Sequence, residues 1–260
     1  MKKSNHNFRK VLRGLMVFLF VFGLFFTGAK AIDDADKKEK KGLITYKDGR
    51  VRKREINGDD WKTANINSSV LTGDRIRTYR KSRAELELLK LDLIRMAPET
   101  IIDVVKLYEE TRTQQKETKI ALQKGNIWAK IKKKNKSTNF DISAPVAVAA
   151  ITGTVLRMGV KADSSTELKV YNGEVKITNA PEKTNLTPKI IKSYEVSGPH
   201  EIQGPHEVSM EKWVYIVKNM QKIILDNKGN VKKVGDFSLT DKDEQSDWVK
   251  WNLQRDNIRK

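Results

Sequence analysis

Ala144 to Met158 reads APVAVAAITGTVLRM, a small apolar run broken by Thr-Gly-Thr. Three chemistries use such a run: a phosphate loop, a nucleophile turn, or a strand in a packed core. A phosphate loop needs several glycines and a Lys followed by Ser or Thr at the start of a helix. This stretch has one glycine and no lysine. A nucleophile elbow needs Gly-x-Ser-x-Gly at a strand-to-helix turn, and here the serine and the second glycine are missing. The reading that survives is a core strand over Val146 to Met158. Gly153 is then expected where a neighbouring backbone or bulky side chain comes close, and Thr154 is expected to matter through shape and one hydroxyl hydrogen bond.

The flanking sequence has the same character. Leu43 to Tyr46 leads into the hairpin-type turn Lys47-Asp48-Gly49, from which Val51 to Ile56 returns, and Asn57-Gly58-Asp59-Asp60 makes another turn. Arg75 to Tyr79 alternates with period two, as do Ala84, Leu86 and Leu88 against Glu85 and Glu87. Ile102 to Leu107, Thr118 to Leu122, Ile127 to Ile131, Glu167 to Tyr171 and Val175 to Ile177 continue the series. Strands this frequent, without helical periodicity between them, predict an all-β fold, a sandwich or barrel. Asn179 to Lys189 is polar and carries two prolines, so it reads as a linker or long loop. Beyond it, Ser209 is placed to cap a helix with Trp213, Ile216, Val217 and Met220 on its apolar face. Ile223 to Leu225 reads as a strand. Asp243 to Arg259 reads as a short amphipathic helix that docks the tail on the β body through Trp248, Trp251 and Leu253.

Residues 1–31 carry six cations and no acid around an uncharged block, Gly14 to Phe26, and end in Ala29-Lys30-Ala31. That is the three-part pattern of a secretory signal peptide, cleaved near Ala31. The block is shorter than the ~20 residues of a membrane span. The expected location is therefore periplasmic or secreted, with no stable membrane span after cleavage. Loss of the six leader cations lowers the net charge from +18 to +12, and a charged linker, 32–41, opens the mature chain. There is no cysteine, hence no disulfide and no thiol for lipid attachment. Lys37 to Lys41 and Lys130 to Lys136 hold much of the positive excess without interleaved aromatic residues. They predict no nucleic acid partner; an envelope protein or an anionic surface polymer is the expected partner class.

Taken in order, Trp61 to Leu89 (WKTANINSSVLTGDRIRTYRKSRAELELL), Thr118 to Ile131 (TKIALQKGNIWAKI), Phe140 to Met158 and Thr166 to Ile177 (TELKVYNGEVKI) resemble the FecR domain family. The resemblance covers about 135 residues, Gly42 to Ile177. It implies an extracytoplasmic, jelly-roll-like or sandwich domain over 42–178 and no known catalytic residues. A C-terminal extension with short strands and one or two helices follows over 179–260. Asp92-Leu93 stands where the family often has Asp-Gly. Signalling members of the family place an anti-sigma segment before a membrane helix. Only 13 residues precede the apolar block here, so that cytoplasmic segment is not expected.

Two groups of residues are candidates for chemistry. His200 and His206, in the repeated GPHE with Glu201 and Glu207, have metal-ligand chemistry, but Gly-Pro loops hold ligands poorly. The pairs Glu85/Glu87, Glu109/Glu110 and Asp59/Asp60 have the composition of glycosidase carboxylates, as does any charged surface. The expectation is no catalytic, cofactor or metal site, and a non-enzymatic interaction or signalling module of the bacterial cell envelope. The alternative is an envelope hydrolase using one carboxylate pair or the two histidines.

Overall fold

In the computed structural model, residues 42–55, 58–89, 92–109, 115–132, 138–179, 187–191 and 212–258 are described. The architecture turns on one long strand, β9 (Lys116–Lys130), which belongs to two sheets. Its C-terminal half lies in the middle of the first sheet. On one side stand β7 (Asp92–Met96), β6 (Arg83–Leu88), β1 (Gly42–Asp48) and β4 (Ser69–Val70). On the other stand β12 (Val155–Val160), β13 (Thr166–Asn172), β17 (Gln221–Leu225) and β18 (Val231–Asp236).

The N-terminal half of β9 lies in the second sheet. It is flanked there by β8 (Ile101–Glu109), β5 (Arg75–Thr78), β2 (Val51–Arg54) and β3 (Lys62–Thr63). Across from these lie β10 (Thr138–Ala144), β11 (Ala147–Ile151), β14 (Glu174–Thr178), β16 (Val214–Lys218) and β15 (Lys189–Ile190). The pairs β9/β10 and β15/β16 are parallel, and the other pairs are antiparallel.

Gly125 marks the change of sheet. Its φ is +94°, and a Cβ there would fall 2.4 Å from Thr100 Oγ1 and 2.6 Å from Thr100 Cα. Only glycine accepts both demands. Every strand of the first sheet except the edge strand β18 buries residues in the interior. Ile44, Leu86, Ile94, Ile127, Leu156 and Leu168 join Ile76, Ile102, Ile120, Ile142 and Val175 of the second sheet in one buried cluster. That is a sandwich core, and its apolar burial carries most of the stability of a chain with no disulfide. The expected all-β class holds.

Three details differ from the sequence reading. Val146 to Met158 is two strands, β11 and β12, joined by Thr152 to Thr154, with Gly153 at φ +69°. Gly153 is therefore needed for a left-handed turn between sheets and not for close packing inside one strand. Thr118–Leu122 and Ile127–Ile131 are parts of the same strand, because the glycine between them bends β9 without ending it. Trp213 to Met220 is not a helix: Val214–Lys218 is β16, paired to β14 from Glu174↔Lys218 to Thr178↔Val214. Its Val-Tyr-Ile-Val run is β-branched and aromatic, and cross-strand packing decides the outcome. Ser209, its supposed cap, lies outside the described residues.

After β18 the chain crosses the outer face of the first sheet and ends in α1 (Asp247–Ile258). Asp247 in the first turn and Arg255 in the last both suit the helix dipole.

Candidate functional site

The outer face of the first sheet carries a cross-strand row of polar and aromatic residues. Register places Tyr46 opposite Glu85, Glu85 opposite Arg95, Arg95 opposite Trp128, Trp128 opposite Arg157 and Arg157 opposite Lys169. On each of β6, β7, β9, β12 and β13 the neighbours of these residues point into the apolar core. The row would face water, yet Glu85, Arg95 and Trp128 are fully buried and Arg157 and Lys169 nearly so. The C-terminal segment covers them.

Two charge clusters result. In the first, Arg95 Nε donates to Glu85 Oε2 at 2.7 Å, Arg255 Nε donates to the same oxygen at 2.9 Å, and Thr45 Oγ1 donates to Oε1 at 2.9 Å. Arg95 also pairs with Asp256 at 2.8 Å, and Trp128 Nε1 donates to Asp256 Oδ2 at 2.9 Å. In the second, Glu244 takes Lys169 at 2.8 Å and Arg157 at 2.9 Å, and accepts from the Tyr171 hydroxyl. Asp243 accepts from Arg157 at 2.9 Å and from Lys169.

Burial alone would push the Glu85 carboxyl up, but the hydrogen bonds from Arg255, Arg95 and Thr45 outweigh it and hold it at about 2. Asp243 is likewise held at about 2, burial being overcome by Lys169 and Arg157. Burial raises the Tyr171 hydroxyl, with the Arg157 charge opposing and Glu244 adding to the rise. The Lys169 ammonium is raised, because Asp243 and Glu244 outweigh its burial. None of these four groups is poised near neutrality, where a general acid or base works. The layer is a clasp for the tail.

The tail docks by these polar contacts together with its aromatic rings. Val249 and Asn252 are the buried positions of α1. Trp248 and Trp251 are half-buried at its rim, stacked on each other at 5.5 Å. Tyr46 sits 5.4 Å from Trp251, and the Arg255 guanidinium lies 4.5 Å from the Tyr46 ring.

A second charged region lies at one end of the sandwich, where three turns meet. These are Gly49-Arg50 between β1 and β2, Tyr79 to Ser82 between β5 and β6, and Glu99 between β7 and β8. They enclose a pocket of about 360 Å³, with Arg77 and Lys124 also in its wall. Backbone hydrogen bonds tie the turns together: Tyr79 N donates to Arg50 O at 3.2 Å, and Glu99 N to Tyr79 O at 3.3 Å. Arg50 N also donates to Ser82 Oγ at 2.9 Å. The Arg50 and Arg77 guanidiniums stand 3.7 and 4.6 Å from the centroid of one ring, Tyr79. Among the described residues no carboxylate pairs with Arg50, Arg77, Arg80, Lys81 or Lys124, and Glu99 is the only acid in the wall. The sequence reading missed this pocket. Its signal was the dense run Arg75-x-Arg77-x-Tyr79-Arg80-Lys81, with Arg50 beside Tyr79 where β2 pairs β5; the hairpin-type turn expected at Lys47-Asp48-Gly49 instead joins β1 and β2 of different sheets.

The residues weighed for chemistry do not converge. Glu85 is locked in the clasp, while Glu87 lies two residues along the same strand, half-buried. Glu109 pairs with Lys116 at 2.8 Å, and Glu110 lies outside the described residues. Asp59 and Asp60 are exposed in the connection between β2 and β3. His200, Glu201, His206 and Glu207 lie outside the described residues. Thr154 is buried, and its hydroxyl donates to Glu174 O at 2.9 Å, a packing role. Asp92, which stands with Leu93 where the family often has Asp-Gly, opens β7 and is buried.

Residues 74–176 match the family described as FecR protein. Two crystal structures of a "putative anti-sigma factor" from Parabacteroides distasonis ATCC 8503 are similar, at 12% identity and a TM-score of 0.41. The match covers 62% of this chain and 59% of each of those chains, so it spans less than two thirds of their length. A likeness at that level carries no argument about this chain. No curated protein matches it.

Proposed function

From a chain that carries a FecR domain, we propose the work of an exported interaction module of the cell envelope, one that binds and does not catalyse. The observation that carries this reading is the contrast between the two charged regions. The buried ionisable groups beneath the tail are consumed by internal ion pairs. The open charged region is a set of cations without internal partners, which is what a binding surface presents. Export rests on the leader pattern of residues 1–31, and among the described residues no helix is long and apolar enough to cross a membrane. The family suggests a signalling role for the module.

Photo-crosslinkers placed at Lys81 and Glu99 in the full chain, in intact cells, test this. The expected result is a defined envelope component joined at the loop end and none joined from Lys232 or Lys233 of β18. N-terminal sequencing of the exported material should begin at Ile32. Crosslinking that is equal from both faces, or a chain kept in the cytoplasm, would end the proposal.

A further inference from the structure

We propose that the loop-end pocket is a phosphate site, taking the phosphate ester of a ligand the size of one sugar. The inference deepens the interaction reading above and rests on it. Two guanidiniums lie against one tyrosine ring and neither has a carboxylate partner; a bound anion supplies one to both. The guanidinium fork matches a phosphate's oxygens in a two-point contact that an ammonium cannot make. Arg80, Lys81 and Lys124 add charge without being neutralised nearby. Five cations against one carboxylate suit a group of charge ~−1.5 to −2, as a phosphate monoester carries, better than a single carboxylate.

The walls are prepared for a ligand. Three turns are tied through Tyr79 and Ser82 by the hydrogen bonds given above. Lys81 and Glu99, on two of these turns, hold φ of +53° and +55°, left-handed values that non-glycine residues adopt at a cost. Such strain collects at ligand clamps. The volume, about 360 Å³, is near the lower end of small-molecule sites. It holds a phosphate and one ring-sized body. A nucleic acid is disfavoured because the ring in the wall, Tyr79, is already engaged by two guanidiniums and is not free to stack a base.

Calorimetric titration of the full chain at low salt tests the site, with glucose 6-phosphate, inorganic phosphate, glucuronate and glucose as probes. Glucose 6-phosphate is expected to bind saturably and tighter than inorganic phosphate, with glucose silent and glucuronate at least tenfold weaker. The double variant Arg50→Gln/Arg77→Gln should lose tenfold or more of that affinity. Lys232→Gln/Lys233→Gln, which removes equal charge from the exposed strand β18, should stay within twofold. If the arginine variant melts lower than the parent, Lys124→Gln replaces it and should weaken binding several-fold. Equal losses in the pocket and β18 variants would overturn the site, as would tighter binding of inorganic phosphate or glucuronate, or no saturable binding. Envelope crosslinks that persist at Lys81 without phosphate binding would sink this inference and leave the interaction reading standing. Phosphate binding without crosslinks would do the reverse.

Discussion

Two regions of this molecule are rich in arginine and lysine, and they treat charge in opposite ways. Beneath the tail, Arg95, Arg157 and Lys169 are buried and each meets carboxylates, from Glu85 on the sheet or from Asp243, Glu244 and Asp256 on the tail. At the loop end, Arg50, Arg77, Arg80, Lys81 and Lys124 remain in water, with Glu99 as the lone acid among them. A cation removed from water must be paired inside the protein or it destabilises the fold. A cation left in water carries no such obligation and stays available for a ligand. Pairing marks the structural set, and its absence leaves the other set open to the ligand proposed above.

Breaking the paired set gives the largest expected effect. Arg95→Met leaves Glu85 and Asp256 without their shared partner, and should cost about 3–5 kcal/mol in urea unfolding. Melting that stays unchanged would show that the layer under the tail is wet. Acid sharpens the same comparison. The Glu85 carboxyl lies below its ordinary value of 4.5, at about 2. Its contribution is thus full above 4.5 and is lost as pH falls from there towards 2, on the order of 3 kcal/mol. Glu85→Gln, less stable at neutral pH, should show a flatter acid limb over that window.

A smaller loss is expected from Tyr171→Phe, which takes one hydrogen bond from buried Glu244 and should cost about 1–2 kcal/mol. Thr154→Val tests the turn where the sheets exchange strands. It deletes the bond to Glu174 O and should lower stability by ~1 kcal/mol with binding intact. At the far end of the scale, Arg50→Gln should change stability by no more than ~0.5 kcal/mol, since that exposed guanidinium has no internal ion pair. A large loss there would place the loop-end cations in the structural set after all.

The core of the fold is legible in the sequence because one face of nearly every strand is apolar. Ala84, Leu86 and Leu88 alternate, as do Leu156, Met158 and Val160, and all six are buried. The second face misleads. Arg95 in Asp92–Met96 and Lys169 in Thr166–Asn172 look like solvent residues, and only a tail some 75 to 160 positions away in the chain buries them. For the same reason β7, buried at all five positions, shows no alternation to read. The docking of α1 was foreseen, and Trp251 does pack against Tyr46; what the sequence did not show is the polar half of the contact, made by Asn252, Arg255 and Asp256. The loop-end pocket joins residues from Gly49 to Lys124, and no local pattern predicts which turns meet.

The membership of β9 in both sheets has a kinetic consequence. A strand that is central to each layer must be laid down before either layer can close, and its partners come from as far apart as Leu93 and Val160. Neither half of the sandwich can then persist without the other, and the search for these distant partners sets the pace of folding, in the millisecond-to-second range of such topologies. Trp128 sits on that strand and reports on it directly. In a variant that keeps Trp128 as its single tryptophan out of the five, its fluorescence and the far-ultraviolet signal should change together in a single transition, and a faster optical phase confined to one sheet would show that the shared strand is not the bottleneck.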